Sequence, residues 1–235
     1  MPQFIYRANA CAVGGRITAP SLHDIEPQAS CSLPSSGGRA VSQAGPFHLE
    51  LNGEFILSFD SAETTIVGAE ASPGVHSTLI TTVIKNLSVL DILKAEQIVS
   101  RMQLFYDTAA KKVTIDTEGS HYTKLTIGGE TFNVKLDHAL GREAADYLAF
   151  RQHHPELPEN AGKIRHFLGR HPKIQPEPND LANYHHPGFG RIYFGEWTAA
   201  PKTQGLTMLR LKLGSPAEGD VGLGDIGGNG EAPPF

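Results

Sequence analysis

The sequence predicts a mainly β protein: a β-sandwich or barrel-like core with a short helical, Pro/His-rich insertion and irregular terminal arms. Three observations carry this. Apolar and polar residues alternate at period two in several runs, as in Phe47, Leu49 and Leu51 against His48, Glu50 and Asn52. β-branched residues crowd Thr64–Ala69 and Thr78–Ile84, which suits a pleated surface. Glycine (25) and proline (16) are in excess for 235 residues, yet 40% of the chain is hydrophobic, so the excess punctuates a chain that still has a core to bury.

The elements follow in order. Residues 1–45 open with a strand at Phe4–Ala8. Gly14-Gly15, Pro20, Pro27, Pro34 and Ser35-Ser36-Gly37-Gly38 then make the stretch an extended arm with one or two short strands. The core domain runs from about 46 to 213. In it Asn52-Gly53 joins two alternating runs, a strong short hairpin signal, and Phe55, Leu57 and Phe59 resume the alternation. Val113–Ile115 and Tyr122–Ile127 continue it, and Gly128-Gly129 supplies a second tight turn into Thr131–Val134.

Residues 88–106, SVLDILKAEQIVSRMQLFY, fit two periods. As a helix, Ser88 and Asp91 begin it and Leu90, Leu93, Gln97, Ile98, Met102 and Phe105 share a face. As a strand, Leu90, Ile92, Ile98, Met102, Leu104 and Tyr106 share one parity, which Lys94, Glu96 and Ser100 break. Periodicity leans to helix; the neighbouring strands lean the other way.

The insertion, 138–190, holds six of the eleven histidines and six prolines after position 150. Helices are expected at Arg142–Phe150 and at Asn160–Leu168, the second stopped by Gly169. Strands return at Arg191–Trp197 and Leu206–Leu213, where Leu209, Leu211 and Leu213 take one face and Arg210 and Lys212 the other. The last 22 residues, 214–235, hold seven glycines, three prolines and four acids without a basic residue, the composition of a flexible tail.

Composition excludes several classes. The net charge of -5 gives no general phosphate-binding surface, so no nucleic-acid partner is expected. No run of 18 apolar residues offers a membrane-spanning helix. The N-terminus lacks the charged start and apolar run of a secretory signal, which favours a cytoplasmic place unless a leader was removed. Cys11 and Cys31 could close a loop of about 20 residues, a bridge of roughly 3 kcal/mol; two unpaired thiols are the simpler expectation.

Ile92–Ser100, reading ILKAEQIVS, and Gly119–Gly129, reading GSHYTKLTIGG, resemble a loosely defined family of bacterial β-rich proteins, the choice-of-anchor P type. The likeness covers residues 60–137 with a weaker echo in 191–230. It implies an extracellular, strand-rich protein without assigned catalysis, and it implies that residues 90–106 are strand.

Three functional readings follow. The first is a non-enzymatic structural or self-assembly protein, a homo-oligomer whose arms contact neighbouring subunits; sheet edges need covering, and self-assembly covers them. The second is a ligand-binding module, with carbohydrate as partner, using the aromatics Tyr184, Phe189, Tyr193 and Trp197 around a Pro-Gly loop. The third is a metal-dependent enzyme using His153, His154, His166, His171, His185 and His186, although their spacing fits no closed zinc pattern. No cofactor is expected: no Gly-rich phosphate loop or Gly-x-Ser-x-Gly elbow is present.

Overall fold

The computed structural model describes residues 4–139, 164–174, 183–200 and 203–229. The chain begins with β1 (Arg7–Ala19), β2 (His23–Gln28), β3 (Cys31–Ser32) and β4 (Gly38–Ala44). The hairpin of β5 (Phe47–Leu51) and β6 (Glu54–Phe59) follows, then the long β7 (Ser61–Ser72), β8 (Val75–Val89) and β9 (Leu93–Asp107). Five short strands come next: β10 (Lys112–Asp116), β11 (His121–Thr123), β12 (Thr126–Ile127), β13 (Glu130–Thr131) and β14 (Lys135–Leu136). The last six are β15 (Ile164–Phe167), β16 (Gly169–Arg170), β17 (Tyr184–His186), β18 (Gly190–Ala200), β19 (Thr203–Leu213) and β20 (Glu218–Asn229).

These strands make two packed antiparallel sheets, a sandwich with no closed barrel. Sheet A has the order β15-β18-β19-β20-β1-β2, with β17 also on β18 and β3 on β1. Sheet B is built on the long β7, β8 and β9; β4 pairs β7, β6 and β5 extend from β8, and β10, β11 and β12 share the far side of β9. Strands β14 and β16 form a separate two-stranded piece. One hydrophobic cluster joins the sheets, with Ile66, Ile80, Ile84, Met102 and Leu104 from B and Val13, Leu209, Leu223 and Ile226 from A. Each such side chain contributes roughly 1.5–3 kcal/mol on burial.

Residues 93–107 are strand, against the lean of the periodicity, while 90–92, which the resemblance implies to be strand as well, form the turn between β8 and β9. The reason is local. In β8 the buried parity passes from Ile80, Thr82 and Ile84 to Leu87 and Val89 across Asn86, whose φ is 53°. In β9 it passes from Leu93 and Ala95 to Ile98, Ser100 and Met102 across Glu96. Pairing holds on both sides, Lys85 opposite Gln97 and Leu87 opposite Ala95. Both strands therefore switch faces at one level, and a single-parity pattern in the sequence is broken there.

Sheet A has the same device. Phe194, Leu209 and Leu223 lie in one row and Glu196, Thr207 and Asp225 in the next but one. Between them Gly195 (φ 62°), Met208 and Gly224 (φ 64°) leave the ladder together. A side chain on Gly224 would press on Ser100 of sheet B, its Cβ 3.2 Å away.

The terminal segments correct the expectation of irregular arms. β1 lies between β20 and β2, with Arg7 opposite Asn229 and Ile17 opposite Gly219. A Cβ on Gly219 would lie 2.4 Å from the Arg16 carbonyl oxygen. The glycines that read as a flexible tail let two backbones approach closely. The insertion needs correction too. Within the expected helix Asn160–Leu168, Ile164–Phe167 is a strand that satisfies one side of β18. Gly169 is no helix stop, since its Cβ would meet that of Phe194 at 2.5 Å. The expected helix Arg142–Phe150 lies outside the described residues.

Candidate functional site

The four aromatic residues expected to face a ligand are part of the packing. Phe189 and Trp197 are 0% exposed and Tyr193 is 2% exposed, while Tyr184 is half-buried. Tyr193 packs on Phe167 with centroids 5.6 Å apart, and Tyr184 on Phe132 at 4.7 Å. A stacking platform for a sugar needs an open ring face, and the three buried rings offer none. β18 carries two of them, Tyr193 and Trp197, in a run where 192–197 are all buried, so both faces of the strand are covered there.

The histidines divide. His153 and His154 lie outside the described residues. His166 falls on β15, opposite Trp197 in register. His185 is exposed, opposite Arg191. His171 stacks on Phe132 at 4.6 Å, and its Nδ1 accepts the Lys173 N–H at 3.2 Å. His186 Nδ1 accepts the Gly188 N–H at 3.3 Å. The structure thus brings His171 and Tyr184 together around Phe132, a residue the sequence reading missed. Lys173 rides over the same ring at 5.7 Å and pairs with Glu130, holding that carboxyl below its usual range. Among the described residues no three His, Cys, Asp or Glu groups converge in a way that would hold a metal ion.

A second charged cluster lies on sheet A, beside a cavity of about 250 Å³ lined by Arg165, Glu196, Thr207, Arg210, Asp220 and Asp225 among others. The Glu196 side chain is only 5% exposed, and a carboxylate so placed requires cations. Arg165 Nε lies 3.1 Å from its Oε1 in an ion pair, and Arg210 Nη1 donates to the same oxygen at 3.5 Å. Arg210 also makes two bonds to Asp220, Nε to Oδ1 at 3.2 Å and Nη2 to Oδ2 at 2.8 Å. That bidentate contact, with Glu196, raises the guanidinium pKa further. Thr207 Oγ1 donates to Asp225 at 2.9 Å. The sequence signal for this cluster was Glu196 itself, an acid inside the run Ile192–Trp197.

The two thiols are unpaired. Cys11 Sγ donates to the carbonyls of Val13 and Gln28, and burial, with Asp225 near, pushes the thiol up to about 11.

One backbone feature stands apart from these clusters. β4 pairs β7 over seven residues without a register shift, Gly38 opposite Gly68 through Ala44 opposite Ala62. Among the described residues its other side pairs with no strand. Val41 is 45% exposed. Other edges carry protection: β2 contains Pro27, Asp24 and Glu26, β5 is bulged between Leu49 and Glu50, and β10 carries Lys112 and Asp116. β4 has neither proline nor bulge, and Arg39 is its one charge.

Residues 4–175 match a domain of unknown function, DUF8256, so the chain belongs to that family. Neither the curated proteins nor the solved structures give a match.

Proposed function

We propose that this member of a family of unknown function is a structural, non-enzymatic β-sandwich that associates with copies of itself through its sheet edges. The observation that carries the reading is β4, a regular edge strand with exposed Val41, a single charge and neither proline nor bulge to discourage pairing. The arms named at the outset enter this reading differently. β1, β2 and β3 belong to sheet A, and Gly38–Ala44 is an edge strand of sheet B among the described residues. The reading groups the chain with strand-rich proteins of the choice-of-anchor P type. Light scattering on the eluting protein across micromolar concentrations tests it. Species larger than one chain are expected, and a monomer at every concentration overturns it.

A second reading, a binding module for a small polar ligand such as a sugar, is favoured by the cavity at Glu196. The ligand would meet Arg165, Arg210 and Asp225 in place of the buried aromatics. Titration calorimetry against a sugar panel tests it, and the absence of heat removes it.

A further inference from the structure

We infer that two copies of this chain join β4 to β4 antiparallel about a twofold axis through Val41, making one continuous sheet B. This rests on the self-association proposed above and specifies its register.

The argument begins with the backbone. Every other residue of an edge strand turns its N–H and C=O away from the sheet, and a second strand can satisfy them. Among the described residues sheet B ends at β4 on this side, and β4 is straight in register for its full length. A closed homodimer needs a surface complementary to itself. Antiparallel pairing centred on Val41 sets Val41 against Val41, Ala40 against Ser42, Arg39 against Gln43 and Gly38 against Ala44. No like charges meet, and the one exposed large apolar side chain of the strand is covered by its own copy. A centre on an even-numbered residue or further along the strand would leave part of the seven residues unpaired.

Charge supports the same register. Arg39 and Gln43 share a parity, so they share a face of the sheet. Gln43 Nε2 donates to Glu63 Oε2 at 2.7 Å, which draws the Glu63 carboxylate toward β4. Across the twofold axis Arg39 of one copy lies beside Gln43 of the other, with Glu63 one strand further on. Two strand spacings are about 9.6 Å, within the joint reach of an arginine and a glutamate. Arg39 has no ion-pair partner in its own chain among the described residues. The dimer supplies one on each side of the axis. Seven residues a side is a small interface, so the association should depend on concentration in the micromolar range.

The experiment is sedimentation velocity on the full chain and four variants, with circular dichroism to check folding. Val41→Lys places two ammonium groups on the axis and should weaken association at least tenfold. Leu22→Lys alters the other exposed large apolar residue among those described, at 72% exposure and away from β4, and should leave association unchanged. Arg39→Glu should weaken association, and Arg39→Glu with Glu63→Arg should restore it. Association equal in wild type and Val41→Lys overturns the register while leaving self-association standing. A wild type that stays monomeric overturns both. Should Val41→Lys not fold, the Arg39/Glu63 exchange decides: no rescue by the double variant overturns the inference.

Discussion

The Tyr122 hydroxyl, on β11 of sheet B, donates to the main-chain carbonyl of Met208 in sheet A at 2.5 Å. Met208 sits between Gly195 and Gly224 at the level where three strands leave the ladder, so no residue stands opposite it in register there. The tyrosine closes that gap and ties the sheets together. Burial raises the Tyr122 pKa far above the ordinary phenol, so the donor keeps its proton at any ordinary pH.

Tyr122→Phe should therefore cost about 1–3 kcal/mol, the range for a buried group left unsatisfied. Urea unfolding measures it. The midpoint should fall with an unchanged slope, because the surface exposed on unfolding is nearly the same.

Gly219→Ala should destabilise the protein by about 1–3 kcal/mol, as overpacking does. The new Cβ would lie 2.4 Å from Arg16 O and 2.9 Å from Ile17 Cα, so β1 and β20 must separate. Gly45→Ala, where no atom lies within 4 Å of the new Cβ, is the control and should have a far smaller effect. Thermal melts compare the two.

Arg210→Met should cost about 3 kcal/mol, because it strips one cation from the buried Glu196 and leaves Asp220 without its bidentate partner. Arg165 remains beside Glu196 and keeps the loss at the low end of the range. Adding Glu196→Gln should recover part of it, and a double-mutant cycle in urea gives the coupling.

Stability should fall at alkaline pH through Cys11. Its folded pKa is about 11, above the ordinary thiol at about 8.5. Between those values the folded chain holds a proton that the unfolded chain has released, so the contribution is whole below about pH 8.5 and is lost as pH rises toward 11. Unfolding at pH 7.5 and pH 10 in wild type and Cys11→Ser measures it. The serine variant should lose less stability between the two.

Much of the fold was legible in the sequence. Asn52-Gly53 and Gly128-Gly129 are turns with positive φ at all four residues, as their composition predicts. Leu209, Leu211 and Leu213 are buried while Lys212 is exposed. Three things were not legible. The switch of faces at Asn86 and Glu96 requires two strands to change together, and a period counted along one strand cannot show that. The glycines of β20 look like a tail because composition does not register a neighbouring backbone. Trp197, Tyr193 and Phe189 could be placed outside or inside only once both sides of β18 were known. The Glu196 cluster is the converse case: an acid within an apolar strand announces buried partners, although not which ones.

Arg7 lies opposite Asn229, and the pairing between these strands closes the middle of sheet A. During synthesis β1 leaves the ribosome well before β20. Sheet A cannot be completed until β20 has followed β1 out, and loop closure over that span makes the step slow. Until then one side of β1 stands open in the nascent chain, next to a β4 edge that is open already. The period before β20 emerges, more than the finished fold, is when this protein is most exposed to joining the wrong strand.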